Sequence, residues 1–263
     1  MIFADTHAHL YLDEFDQDRD AMVARSLNEN VRYMFLPNID STSVERLLSL
    51  CRAFPQNCFP MMGLHPTSVK ENYRQELAIV KTHLDNPAEK YLAVGEIGID
   101  FYWDKTHEKE QVEAFQFQLD LAAEHDLPVV IHTRNSFAIA AGILEERNDP
   151  RIRGIFHCFS GNVQQASTAI EIGFFLGIGG VVTYRNSGLQ KVVETMPFES
   201  LVLETDAPFL SPVPYRGKRN ESSYIPLIAE KIAELKKCSL QKVSEVTTQN
   251  ALKLFNIRDD YEK

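Results

Sequence analysis

Five short segments carry residues able to hold divalent metal ions. They are Asp5-Thr6-His7-Ala8-His9, Glu96 within Val94-Gly95-Glu96-Ile97-Gly98, His132 at the end of the apolar run 128–131, His157 after Gly154-Ile155-Phe156, and Asp206 in Leu203-Glu204-Thr205-Asp206. Imidazoles with carboxylates suit Zn²⁺, Mn²⁺ or Fe²⁺ by ligand softness, and Mg²⁺ can be accommodated if water and phosphate complete its shell. On extended backbone, residues two apart point the same way, so His7 and His9 aim together. Such an H-x-H pair is weak on its own, because a chain with eight histidines produces one by chance fairly often. His65 adds a further polar residue after a third apolar run, whereas His83, His107 and His125 lie in helical patterns and receive no role. Histidine is thus concentrated in the segments that follow strand-like runs.

Those runs fall at 2–4, 32–36, 58–62, 91–94, 128–131, 154–156, 174–178 and 201–203, alternating with amphipathic patterns at 14–29, 43–54, 76–84, 109–124, 136–147, 163–172 and 187–195. In the fourth of these patterns Val112, Phe115, Leu119 and Ala122 recur at helical spacing and form one apolar stripe. Eight β-then-α units without a linker or composition break predict an α/β protein, a single-domain (β/α)8 TIM barrel spanning residues 1–263; a doubly wound open sheet is the fallback. Barrel enzymes of this kind build their sites at the C-terminal rim of the strands. That is where the ends of strands one, four, five, six and eight place the candidate ligands, with His65 after strand three. A loop over 206–223 containing Pro208, Pro212 and Pro214 precedes two closing helices; the last is expected to start at the N-cap Ser239 and to turn Leu240, Val243, Val246, Ala251 and Leu254 to the barrel.

Hydrophobic residues make up 44 % of the 263 residues and charged ones 24 %, which supports a large core and excludes disorder. The formal charge of −10 argues against a basic sheath for nucleic acid. It is unevenly spread: residues 127–220 carry nine basic and eight acidic side chains, a net of +1 that leaves −11 to the remainder. No run of 18 apolar residues and no basic-then-apolar leader is seen, and the four cysteines show no C-x-x-C spacing. Cytoplasmic localisation, a monomer and no membrane association are the expectations.

The segments Asp5-Thr6-His7-Ala8-His9-Leu10, Gly63-Leu64-His65-Pro66, Gly95-Glu96-Ile97-Gly98-Ile99-Asp100-Phe101, Pro128-Val129-Val130-Ile131-His132-Thr133-Arg134, His157-Cys158-Phe159-Ser160-Gly161 and Leu203-Glu204-Thr205-Asp206-Ala207-Pro208 resemble, in order, the motifs of TatD-family metal-dependent deoxyribonucleases. Thr248-Gln249-Asn250-Ala251 resembles the family's ending. The resemblance covers nearly the whole chain and implies an amidohydrolase-like barrel that hydrolyses DNA, often as a 3′ to 5′ exonuclease on single strands. It implies two divalent ions (Mg²⁺, Zn²⁺ or Mn²⁺), with His7, His9 and Asp206 on one, His132 and His157 on the other, and Glu96 bridging. A water between the ions would be acidified toward hydroxide, with Asp206 as general base. His65 is expected to bind a phosphate oxygen or orient the water, and Asp5 and Asp100 to orient ligating imidazoles.

Substrate contacts follow from position. Arg134 shares a face with His132 and is expected to pair with phosphate, the competing reading being a salt bridge to Glu204 or Asp100. One of Phe101, Tyr102 and Trp103 could stack on a base, though such a trio more often caps a barrel. Arg216, Lys218 and Arg219 form a small basic cluster beside the expected site. DNA ends or another phosphodiester are the expected partner. A D-aminoacyl-tRNA deacylase would use the same two-metal site, and a barrel that binds metal without turnover is a further alternative. Amidohydrolases that bridge their metals through a carbamylated lysine on strand four are disfavoured, since 92–101 contains no Lys.

Overall fold

The computed structural model describes residues 1–102 and 105–257. Eight strands, β1 (Phe3–Asp5), β2 (Val31–Pro37), β3 (Cys58–Met61), β4 (Val94–Asp100), β5 (Val129–Arg134), β6 (Gly154–Phe156), β7 (Phe174–Ile178) and β8 (Leu201–Leu203), alternate with helices. The helices after β1 to β7 are α1 (Arg19–Asn28), α2 (Val44–Ala53), α3 (Tyr73–Leu84), α4 (Glu108–Glu124), α5 (Phe137–Arg147), α6 (Val163–Glu171) and α7 (Leu189–Thr195); α8 (Ile225–Lys236) and α9 (Leu240–Leu254) follow β8. All strand pairs are parallel, in the order β1-β2-β3 and β4 through β8. Backbone bonds join these two arcs. At one seam Met62 N–H donates to Ala93 O (3.1 Å) and Gly95 N–H to Met62 O (3.0 Å); at the other Thr6 N–H donates to Leu203 O (2.9 Å) and Asp206 N–H to His7 O (2.9 Å). The architecture is a (β/α)8 TIM barrel, and the open sheet is not needed.

The largest difference from the sequence expectation is β4, which occupies Val94–Asp100 instead of 91–94, so Glu96 lies inside the strand and not after it. Its sequence, with two glycines and two acids, is poor in the residues that favour strands. The glycine at 98 has a steric cause: its φ is +137°, and a Cβ there would lie 2.0 Å from His132 O. Only glycine lets β5 come this close. Likewise β5 runs on to Arg134, and the first helical stretch divides into a turn at Asp13–Phe15 and α1 from Arg19.

Alternation on the strands separates two cores. Met34, Leu36, Ile97, Ile99, Val129, Ile131, Leu176 and Leu203 face the helices, while Ala4, Tyr33, Phe35, Met61, Ala93, Val130, Ile155 and Val202 form a second cluster within the barrel. Ser239 accepts from Lys242 N–H at 3.2 Å as the N-cap of α9. Val243 packs on the wall as expected; Ala251, Leu252, Leu254 and Phe255 instead join the interior cluster, with Phe255 stacked on Phe35 at 4.0 Å. The far end of α9 is therefore a stopper for the barrel interior. Ser244 and Thr248 hydroxyls also donate to Ile2 O (2.7 and 2.8 Å), anchoring the start of β1.

Candidate metal centre

Glu96 stands at the middle of the rim, 1 % exposed, and its two carboxylate oxygens face different neighbours. Oε2 lies 3.1 Å from His7 Nε2 and 3.3 Å from His9 Nε2, and Asp206 Oδ1 is 3.8 Å from each of those nitrogens. Oε1 lies 2.8 Å from His157 Nε2, 2.9 Å from His132 Nδ1 and 3.2 Å from His65 Nε2. Five imidazoles and two carboxylates from six strand ends thus converge. Three overlapping sets have the compactness to hold an ion: His7, His9 and Glu96; His7, His157 and Asp206; His65, Glu96 and His132.

The outer nitrogen of each ring fixes what the inner nitrogen presents. Tyr11 Oη donates to Pro37 O at 2.6 Å, so it accepts from His9 Nδ1–H at 3.0 Å and leaves His9 Nε2 as a lone pair. His132 gives Nε2–H to Asp100 Oδ2 at 2.9 Å and turns Nδ1 inward. His157 Nδ1 lies 3.5 Å from Glu204 Oε1, whose nearer bond is to Cys158 N–H at 2.5 Å. His65 is the reverse case: Thr67 N–H donates to its Nδ1 at 3.1 Å, so the neutral ring carries its proton on Nε2. It presents a donor to the centre, and not a lone pair. His7 Nδ1 has no hydrogen-bond partner among the described residues.

The electrostatics suit a cation. Glu96 Oε2 is buried with no hydrogen donor, facing the His9 lone pair, an arrangement that a positive ion would relieve. Burial would raise Glu96, but the imidazoles of His65, His157 and His7 outweigh it and hold the carboxyl well below its usual range. Burial opposes protonation of His157 and His132 too, yet Glu96 and Glu204 raise the first well above normal, and Asp100 and Glu96 raise the second. Metal-free, these rings therefore keep protons that a bound ion would displace. Burial lowers His7 and His65, and it lifts Asp206 to about 6.

Other sequence expectations are redistributed. Asp5 touches no imidazole ring: its carboxylate accepts from Thr205 N–H (2.9 Å), Thr205 Oγ1 (2.6 Å), Ser222 Oγ (2.6 Å) and, more weakly, His7 N–H (3.3 Å). It joins the β1 and β8 ends by their backbones. Arg134 lies with its guanidinium 3.7 Å from the centre of the exposed Tyr102 ring. Phe101 packs against the core, and Trp103 lies outside the described residues. The basic cluster divides, since Arg219 is bound to Asp18 (2.7 and 2.9 Å) whereas Arg216 sits over Tyr184 at 4.4 Å.

The positions of four residues around the centre escaped the sequence reading, which named Glu204 only as a competing partner for Arg134. Tyr11 and Glu204 had a legible signal, the alternation His7-His9-Tyr11 and the acid two before Asp206. Gln111 and Gln118 did not, because they lie on the buried side of α4, where glutamine is uncommon. Gln118 brackets Leu64, accepting from its N–H (2.7 Å) and donating to its carbonyl (3.2 Å); Gln111 does the same to Asp100 (2.8 and 3.2 Å). One helix thereby sets the backbone beside His65 and beside the partner of His132.

Residues 4–256 match the model of the family described as TatD related DNase. The chain is 37 % identical over 258 residues to the metal-dependent hydrolase YabD of Bacillus subtilis, covering 98 % of this chain and 100 % of the relative. It is 34 % identical over 260 residues to the 3′-5′ ssDNA/RNA exonuclease TatD of Salmonella typhimurium, covering 96 % and 98 %. The crystal structure of YjjV, a TatD homologue from Escherichia coli K12, superposes with a TM-score of 0.92 at 30 % identity over 97 % of this chain and 98 % of that one. The chain is thus a member of the TatD-related family of metal-dependent hydrolases.

Proposed function

We propose that the protein hydrolyses phosphodiester bonds at the ends of single-stranded DNA, removing nucleotides in the 3′ to 5′ direction with two divalent ions, Mg²⁺, Mn²⁺ or Zn²⁺. The observation that carries this reading is the single buried carboxylate of Glu96, each of whose oxygens faces its own set of imidazoles. His7, His9 and Asp206 would hold one ion, His132 and His157 the other, and Glu96 would belong to both. When bound, such a pair clamps the attacking and leaving oxygens of a phosphodiester and makes water a stronger nucleophile near neutral pH. The direction of digestion draws support from the name of the Salmonella relative.

The chain's own groups supply the rest. Asp206, with its side chain 15 % exposed at the mouth of the centre, would take a proton from the attacking water through the carboxylate oxygen not committed to an ion. His65, kept as an Nε2–H donor by Thr67, gives a hydrogen bond to a phosphate oxygen as charge builds on it. Asp100 and Tyr11 hold the His132 and His9 rings in place through hydrogen bonds, and Glu204 lies beside His157 at 3.5 Å.

The test is digestion of single strands labelled at either end, with the three ions compared. A ladder receding from the 3′ end is expected, abolished by chelation and by Glu96→Ala or Asp206→Ala in protein that still melts cooperatively. Unchanged nucleotide release from those variants would sink the proposal. Release of D-amino acid from charged tRNA, with no nucleotide released, would replace it by the deacylase reading.

A further inference from the structure

The loop between β8 and α8 displays apolar side chains at the mouth of the barrel although its backbone is tied down. Phe209 is 48 % exposed, Leu210 41 % and Val213 47 %. The Phe209 ring lies edge-on to His9 with centroids 6.4 Å apart, so it borders the metal centre directly. Its backbone has no freedom to tuck the ring away. Phe209 N–H donates to Asp206 O (2.8 Å), and the fully buried Asn220 donates through Nδ2 to Phe209 O (2.6 Å) and Thr205 O (2.8 Å).

Further along the same loop the cations divide by partner. Arg219 is neutralised by Asp18 and covers Phe15, and Arg25 is neutralised by Glu221 and Asp18. Arg216 and Lys218 are exposed and have no carboxylate partner among the described residues. Arg216 lies on Tyr184, whose hydroxyl donates to Ser211 O at 2.9 Å and whose carbonyl accepts from Gln190 Nε2 at 3.1 Å. A guanidinium held over a fixed ring keeps N–H groups available for a phosphate and loses little freedom on binding one. A chain of net charge −10 thus sets two unneutralised cations on the loop that also carries an exposed aromatic at the metal centre.

We infer that this loop is a docking subsite for a single nucleic-acid strand: Phe209 stacks on the base next to the scissile linkage, and Arg216 with Lys218 takes phosphates further along. The inference rests on the phosphodiester reading and specifies which surface holds the strand. Stacking and unpaired cations are the two ingredients by which single strands are held without sequence readout.

Binding of a fluorescent phosphorothioate thymidine 12-mer, which resists hydrolysis, to the metal-loaded protein tests it by anisotropy across a salt series. The double variant Arg216→Glu, Lys218→Glu is expected to bind at least tenfold more weakly and to lower the slope of log K against log salt by about 1.4, some 0.7 per phosphate contact. Phe209→Ala is expected to lose about tenfold with the slope unchanged, from stacking alone. Lys191→Ala, which removes a cation paired with Glu194 on α7, is expected to bind as the wild type does. Wild-type affinity and slope in the double variant, at unchanged melting temperature, would overturn the subsite, as would failure of the wild type to bind the strand. Loop-dependent binding without hydrolysis of ordinary DNA under any of the three ions would remove the nuclease reading and leave the subsite standing; hydrolysis with loop-independent binding would do the opposite.

Discussion

The two sides of Glu96 are built differently. At Oε1, His132 donates to the buried Asp100 at 2.9 Å, and His157 Nδ1 has the buried Glu204 carboxylate nearby at 3.5 Å without a hydrogen bond to it. At Oε2, His9 is backed by the neutral hydroxyl of Tyr11, and His7 Nδ1 has no hydrogen-bond partner among the described residues. An anionic partner makes an imidazole a stronger base and a stronger ligand, whereas a neutral one fixes orientation with less electronic effect. The Oε1 side should therefore be the tighter metal position and the Oε2 side, with the partly exposed Asp206, the exchangeable one. With two ions bound as proposed, such asymmetry would let one position stay filled while the other follows the supply of ions.

Removing the shared residue should have the largest effect. Glu96→Gln is expected to lower hydrolysis by more than about a thousandfold and to empty both positions, read by metal analysis after gel filtration. Next comes the comparison itself: Asp100→Asn should weaken the tighter of two metal-binding steps by about 10- to 100-fold, and Tyr11→Phe should weaken only the other and by less. Equal losses on the same step in a calorimetric titration would show that the two sides are equivalent.

Acidity separates the sides as well. Burial lifts Asp206 to about 6 from an ordinary value near 3.9, so the folded, metal-free protein holds this proton more tightly than the unfolded chain does. That contribution is complete below about pH 4 and is lost as pH rises through 6. After chelation, the wild type should lose about 2–3 kcal/mol relative to Asp206→Asn between pH 4 and 7 in denaturant melts. A wild type and variant that stay parallel across this range would contradict the burial account. The smallest effect is expected from Gln118→Ala, which leaves the N–H and C=O of Leu64 without their side-chain partner. It should cost about 1–3 kcal/mol and lower turnover more than substrate affinity, by shifting His65.

Alternating strand and helix patterns were enough to make the barrel legible, because its core obeys simple periodicity. The convergence of the candidate ligands was legible because strand ends of a barrel share one rim. The extent of β4 was not, since its acids and glycines are there for the centre and for the close approach of β5, against strand preference. Nor was the role of α4 visible: Gln111 and Gln118 were absent from the apolar stripe read in that helix, and only the folded chain shows which loop each one meets. Asp5 shows a finer failure. It is expected to orient a ligating imidazole, but the strand end turns its carboxylate to Thr205 and Ser222.

The tether from Ser244 and Thr248 to Ile2 has a consequence for the order of events in synthesis. His7 and His9 are synthesised well before α9, yet the strand that aims them is three residues long and is pinned at its start by that helix. Nascent chains that extend past Asp206 but not yet through α9 would carry every candidate ligand without the tether that holds β1. The centre would then be complete only once α9 has folded onto β1, which ties the first candidate ligands to a helix made long after them.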